Sequence, residues 1–142
     1  MGIQLPWAML ITRKADFSAS HACYRPDWTP EHNREVYGAK ANPHGHGHNY
    51  VLEVTLEGEP DKVTGMVLDL KRLKDILNQE VIEPFDHRFL NHEVKPFDTL
   101  VPTAENIAIE IWRRLEPRIH KGQLHCVRLY QDLSLFVDYY GL

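Results

Sequence analysis

The stretch GAKANPHGHGHNYVLEVTLEG, residues 38–58, decides the fold. Its second half, NYVLEVTLEG (49–58), sets apolar Val51 and Leu56, with Val54 imperfectly in step, against polar neighbours. That is the period of a half-buried β-strand. The first half puts His44, His46 and His48 on alternate positions, and alternate side chains of a strand point to one face. Gly45 and Gly47 thin the backbone between them, and Lys40 lies just upstream.

Working outward, WAMLITRKADFSASHA (7–22) is rich in apolar and aromatic residues and predicts a first long strand. Residues 24 to 45 carry three prolines and several turn formers, and predict a long functional loop. After the turn EPDKVTG, the segment MVLDL leads into a helix. Leu70, Leu73, Ile76, Leu77 and Val81 recur at helical spacing, with Asp69 as N-cap and Pro84 as terminator. A second helix starts at Thr103, whose hydroxyl can cap it, with Glu105 in the first turn. Its apolar face is Ala104, Ile107, Ala108, Ile111, Trp112 and Leu115, and Pro117 lies at its end. LHCVRLYQD (124–132) and SLFVDYYG (134–141) predict a closing hairpin. The order β-β-α-α-β-β predicts an α+β fold, an antiparallel sheet with helices on one face, in a single domain over residues 1–142.

Composition narrows the function. The chain has 142 residues, enough for one core, with 43% hydrophobic and 25% charged residues, as in ordinary soluble globular proteins. A net charge of −4 argues against a phosphate-backbone binder, so no nucleic-acid partner is expected. No apolar run approaches the roughly 20 residues of a membrane helix, and the N-terminus lacks the parts of a signal peptide. Two cysteines, Cys23 and Cys126, give no disulfide framework, and a cytoplasmic location is expected. Cys126 reads as a core thiol. Histidine is the outlier: nine in the chain, with His21, His44, His46 and His48 close together in sequence.

Catalytic zinc takes three protein ligands and keeps a fourth position open. His46 and His48 can supply two, and His21, from the first strand, a third. Three neutral nitrogen ligands favour zinc, although imidazole also suits copper, nickel or iron. His44 shares the parity of the other two, so spacing alone does not choose the three; Pro43 and Gly45 leave it in the loop. Cys23, two residues past His21, is the thiol placed to reach the metal. In PFDHRFLN, Asp86 next to His87 is a carboxylate able to fix an imidazole tautomer and make a proton shuttle near neutral pH. In isolation the same pair reads as a solvated turn, Glu105 as a first-turn carboxylate, and Lys40 as a loop lysine.

Taken together, DFSASH, GAKANPHGHGHNY, TGMVLDL, PFDHRFLN and PTAENIAIEIW resemble, in order and spacing, the 6-pyruvoyl-tetrahydropterin synthase family. That family includes 6-carboxy-tetrahydropterin synthase of the queuosine pathway. The likeness runs from about Phe17 to Gly141. The loop before HGH, with Glu31 and Asn33 matching an E-x-N, is more similar to the pyruvoyl type. The resemblance implies the tunnelling fold, a four-stranded antiparallel sheet with two helices on one face. It also implies oligomeric barrels, trimers that stack into hexamers, with sites between subunits. It implies Zn²⁺ on His21, His46 and His48, leaving His44 outside, and Asp86 and His87 as the proton-relay pair. Thr103 and Glu105 would help to anchor a pterin. The implied substrate is 7,8-dihydroneopterin triphosphate, whose side-chain oxygens the metal would polarise so that a base removes the adjacent proton.

Two positions depart from the family pattern. Lys40 stands where the pyruvoyl type has a cysteine base. Gln131, in YQD, stands where YETD has a glutamate that binds the pterin's guanidine-like edge; glutamine offers one acceptor oxygen and no charge. Three expectations follow: a zinc lyase with Lys40 or Cys23 as base; diverged chemistry in which Lys40 binds triphosphate or forms a Schiff base; or a protein that binds zinc and a heterocycle without turnover.

Overall fold

A computed structural model of the chain describes residues 9–142. Trp7 and Ala8 of the expected first strand lie outside the described residues. The strands are β1 (Met9–His21), β2 (His46–Gly58), β3 (Arg88–Phe89), β4 (Gln123–Asp132) and β5 (Leu135–Tyr139). They form one sheet in the order β3-β1-β2-β4-β5. β1, β2, β4 and β5 are antiparallel, as expected, and β1 pairs with β2 over its whole length, from Met9↔Gly58 to His21↔His46. The expected four strands become five because β3 joins the β1 edge in parallel through Ala19↔Arg88 and Ser20↔Phe89. A two-residue strand has no periodicity to read, which is why the sequence did not show it.

Alternation along β2 fixes the two faces of the sheet. Tyr50, Leu52, Val54 and Leu56 are completely buried and face the helices, together with Phe17 and Ala19 from β1 and Val127 and Leu129 from β4. The helices on this face are α2 (Leu70–Leu77) and α5 (Ala104–Leu115). Asp69 caps α2 by accepting from the Lys71 amide, and Thr103 caps α5 by accepting from the Asn106 amide. The apolar face expected for α5 is the buried one, from Ala104 to Leu115. Glu110, also buried on α5, is neutralised by charge-assisted bonds from Arg113 and Arg114 at 2.6–2.7 Å.

Other helical pieces depart from expectation. The loop at 24–45 contains α1 (Pro30–Tyr37), capped by Thr29, with a 3-10 turn, Gly38–Ala41, directly after it. The helix expected from Asp69 to Val81 ends sooner as α-helix, at Leu77. It continues as a π-turn, Asn78–Ile82, and a short turn α3 (Glu83–Phe85). Pro84 thus lies inside the helical path instead of ending it. It lacks the amide that would serve the Glu80 carbonyl, and that oxygen takes a long 3.5 Å bond from Arg114. A further turn, α4 (Leu90–Glu93), follows β3. Among the described residues no helix is long and apolar enough to cross a membrane.

The centre of α5 seals the sheet, so its truncation measures how far the fold depends on this layer. Ile111, completely buried, should cost about 2–5 kcal/mol when replaced by alanine, read as a lower urea midpoint at unchanged slope. A loss under about 1 kcal/mol would mean the α5 contact is not part of the main core.

Candidate metal centre

His46 and His48 open β2 on its core-facing side, and His21 closes β1 opposite them across the His21↔His46 rung. The histidines therefore form the last layer of the core face, one step beyond Tyr50. Their ring centroids lie 4.5 Å (His21–His46), 5.1 Å (His21–His48) and 5.0 Å (His46–His48) apart. One ligand atom from each falls within 4.8 Å of the others. His44 is not among them. It is exposed in the loop, where its amide donates to Asn42 Oδ1 at 3.0 Å.

The chemistry of these rings fits a metal. His21 Nδ1 stands 2.6 Å from the Pro102 carbonyl, which can only accept, so the proton is on Nδ1 and the Nε2 lone pair is free. His21 Nε2 and His48 Nε2 are both buried with no hydrogen-bond partner among the described residues. Buried polar atoms are ordinarily satisfied, and a cation between these nitrogens would satisfy them. Burial lowers the His21 pKa to about 4, with the charges of His46, His48 and Lys40 adding to the effect, and it lowers that of His48 too. Neutral imidazole is the form that binds metal.

Three neighbouring segments are tied to consecutive residues at the end of β1. His21 holds Pro102, next to the Thr103 cap and the α5 start. Ala22 is held by Asn91, whose Oδ1 accepts from the Ala22 amide at 2.9 Å and whose Nδ2 donates to the Ala22 carbonyl at 2.8 Å. The Cys23 amide donates to the Lys40 carbonyl at 2.8 Å. Gly45, at φ +75°, packs against the Phe89 ring, and a Cβ there would stand 3.0 Å from the His21 carbonyl. A side chain would therefore push β2 off β1 at the ligand rung.

The expected catalytic residues are placed as follows. Lys40 is exposed at the 3-10 turn, close enough for its charge to act on His21, His48 and Cys23. Cys23 is buried, burial pushes its thiol pKa up, and it is not part of the three-histidine cluster. Glu105 is exposed in the first turn of α5, and its charge also reaches Cys23. Gln131 is buried at the end of β4. Asp86 and His87 form their own unit: His87 Nδ1 lies 2.9 Å from Asp86 Oδ2. Asp86 Oδ1 accepts from the Ser18 amide at 2.8 Å, which holds its pKa below the usual carboxylate value. The His87 amide donates to the Ser18 carbonyl at 2.6 Å and holds the residue at φ +61°, a left-handed conformation uncommon outside glycine. The His87 side chain is 82% exposed. It borders a cleft of about 510 Å³ with Ser18, Ser20, Gly47, His48 and Asn49. Asn91, Tyr50 and the Pro102 carbonyl are site features that sequence reasoning missed. Only Tyr50 left a signal, as the next in-facing residue after His48.

Fold and site together define an α+β protein with a three-histidine metal cluster at the end of its sheet. The profile of the 6-pyruvoyl tetrahydropterin synthase family matches residues 10–141. The human 6-pyruvoyl tetrahydrobiopterin synthase is 39% identical over 131 residues, covering 92% of this chain and 90% of that protein. The structure of the Caenorhabditis elegans 6-pyruvoyl tetrahydropterin synthase superposes with a TM-score of 0.89 at 35% identity, covering 94% and 96% of the two chains. A putative 6-carboxy-5,6,7,8-tetrahydropterin synthase of Archaeoglobus fulgidus is 36% identical, covering 75% of this chain and 76% of that one. The chain belongs to the 6-pyruvoyl tetrahydropterin synthase family.

Two measurements test the centre. In metal-free protein the unfolded chain protonates His21 near its ordinary 6.5 and the folded chain only near 4. The stability held above pH 6.5 is therefore lost as the pH falls to about 4, by about 3 kcal/mol for a shift of this size. Urea titrations of chelator-treated protein should show that fall and His21→Gln should flatten it; an unaltered slope in the variant would assign the effect to another group. Asn91→Ala unpairs two buried backbone groups at Ala22. It should weaken metal binding about 10- to 100-fold, measured by competition with a chromophoric chelator, and wild-type affinity would remove Asn91 from the support of the site.

Proposed function

We propose that the protein is a zinc-dependent lyase acting on 7,8-dihydroneopterin triphosphate, of the 6-pyruvoyl type. The observation that carries this is the three-histidine cluster with unpartnered Nε2 atoms, in a chain so similar to synthases of that name. The 6-carboxy alternative is a less good fit, because the relatives with that name match at 36% and 31% identity over 75% and 66% of the chain. A cytoplasmic setting goes with this reading, supported by two cysteines that remain free thiols.

His21, His46 and His48 would hold the ion. Zinc bound there supplies a Lewis acid toward a side-chain oxygen of the substrate and so acidifies the neighbouring C–H. Lys40 is the base we assign to that proton: its charge reaches two of the metal ligands, and a cation beside it favours its neutral form. Cys23 is the second candidate, disfavoured because burial holds its thiol protonated. Asp86, kept anionic by the Ser18 amide, orients His87 through Nδ1 and leaves Nε2 facing the cleft to return a proton. Loss of the triphosphate anion then completes the elimination. Thr103 and Glu105, at the start of α5, would help to anchor the ring.

The active form we propose is a homo-oligomer, trimer or hexamer, with sites between subunits. Support comes from the exposure of His87 and Lys40, since proton transfer at a reactive carbon works best with water excluded. The sheet face away from the helices also presents Phe136 and Tyr140, both exposed, and its edge strands need cover.

Incubating zinc-loaded protein with dihydroneopterin triphosphate should yield triphosphate and a pyruvoyl pterin. Full zinc occupancy without turnover would sink the assignment, and tight pterin binding in that case would indicate a non-catalytic member. Lys40→Ala should lower kcat about 10²–10⁴-fold at unchanged zinc stoichiometry; unchanged kcat excludes Lys40 as the base. A Lys40 adduct trapped by borohydride would point instead to Schiff-base chemistry.

A further inference from the structure

The largest cavity among those described, about 620 Å³, opens where β4 stops short of the histidine end of β2. The β2–β4 ladder closes at Val51↔Tyr130, and a bulge between Tyr130 and Asp132 leaves Gln131 as the extra residue. Bulges commonly re-aim a side chain beside an active site. Gln131 is 9% exposed, lines this cavity, and its amide has no hydrogen-bond partner among the described residues. Val51, Tyr130 and Leu133 supply apolar wall, and His48 borders the same space. One bound molecule can therefore meet the Gln131 amide and the metal centre together. The volume suits a planar two-ring heterocycle.

A buried amide with no partner is matched by a ligand that pairs with both halves of it. Glutamine presents N–H donors and one oxygen acceptor, so its complement is a cyclic N–H beside a C=O, the lactam edge of a heteroaromatic ring. A ring edge with two adjacent donors, the 2-amino and N3–H of a pterin, satisfies only the oxygen. Asp132 does not make up the difference, because it is exposed and its Oδ1 accepts from both the Ser134 amide and hydroxyl, at 2.8 and 2.7 Å. We propose that Gln131 reads a lactam edge, so that this chain accepts pteridines without discriminating 2-amino from 2-oxo rings. This selectivity rests on the pteridine-binding role proposed above.

The test is the relative affinity of zinc-loaded protein for pterin and for lumazine, the 2,4-dioxo ring, followed by ring fluorescence in wild type, Gln131→Glu and Gln131→Met. In wild type the two dissociation constants should agree within about threefold. Gln131→Glu should prefer pterin by about tenfold or more, since a carboxylate accepts from both donors and repels the 2-oxo group. Gln131→Met, which keeps the volume, should weaken both rings alike. A wild-type preference for pterin of tenfold or more overturns the proposal, as does a ratio that Gln131→Glu leaves unmoved, and in both cases the pteridine reading stands. If neither ring binds the zinc-loaded protein, both fall.

Discussion

Everything that makes this sheet a site depends on how β1 ends. Its last paired residue, His21, is buried against the Pro102 carbonyl at 2.6 Å, and the next two residues are bonded through their backbones to Asn91 and Lys40. A strand end would ordinarily fray. Here three consecutive residues each fasten a different segment: the α5 start, the turn after β3, and the 3-10 turn before β2. Position at the metal centre is thus set by backbone bonds inside the core, and the catalytic side chains inherit their places from it.

The same end explains why the core tolerates so much unsatisfied polarity. Phe17 and Tyr50 stack at 5.0 Å directly below the histidines, and Tyr50 is completely buried with its hydroxyl unpartnered among the described residues. An apolar core with this packing would be more stable if the last layer were also apolar. Two imidazole nitrogens and a phenol held dry in one place cost stability in the metal-free state. The deep depression of the His21 pKa expresses the same cost as resistance to protonation. That pattern is what a preorganised ligand set looks like before its ion is counted.

Much of this is legible in the sequence, and the limits have physical reasons. The long strands and α5 announce themselves through alternation and helical spacing, and HGH on a strand gives two ligands on one face. α1 was legible too: Thr29-Pro30-Glu31 is an N-cap, a first-position proline and a first-turn carboxylate, a helix start obscured by reading the prolines as loop. Pro84 misled in the opposite direction, because a π-turn shifts the backbone hydrogen bonds so that a proline is accommodated. β3 and Asn91 left no trace, since two residues carry no period and an asparagine's bonds to a backbone 69 positions away have no local signature. Family likeness, not spacing, separated His44 from the ligands, and the geometry agrees.

The remaining step concerns the two faces of the sheet. The metal ligands point toward the helices, while Ser18, whose backbone fixes Asp86 and His87, has the opposite parity to Phe17 and Ala19 on β1. His87 therefore serves a cleft bordered by Gly47 and Asn49, the out-facing residues that flank His48. The cavity of Gln131 also curves around the open end of β4 to reach His48 from this side. A substrate that meets the metal ligands, the relay pair and the amide must cross the sheet's end, where Gly45 and Gly47 leave room and no strand covers the start of β2. Within one subunit that crossing lies open to water on the His87 side. Closing it requires protein from outside the chain, which gives edge-to-edge assembly a catalytic reason as well as a structural one.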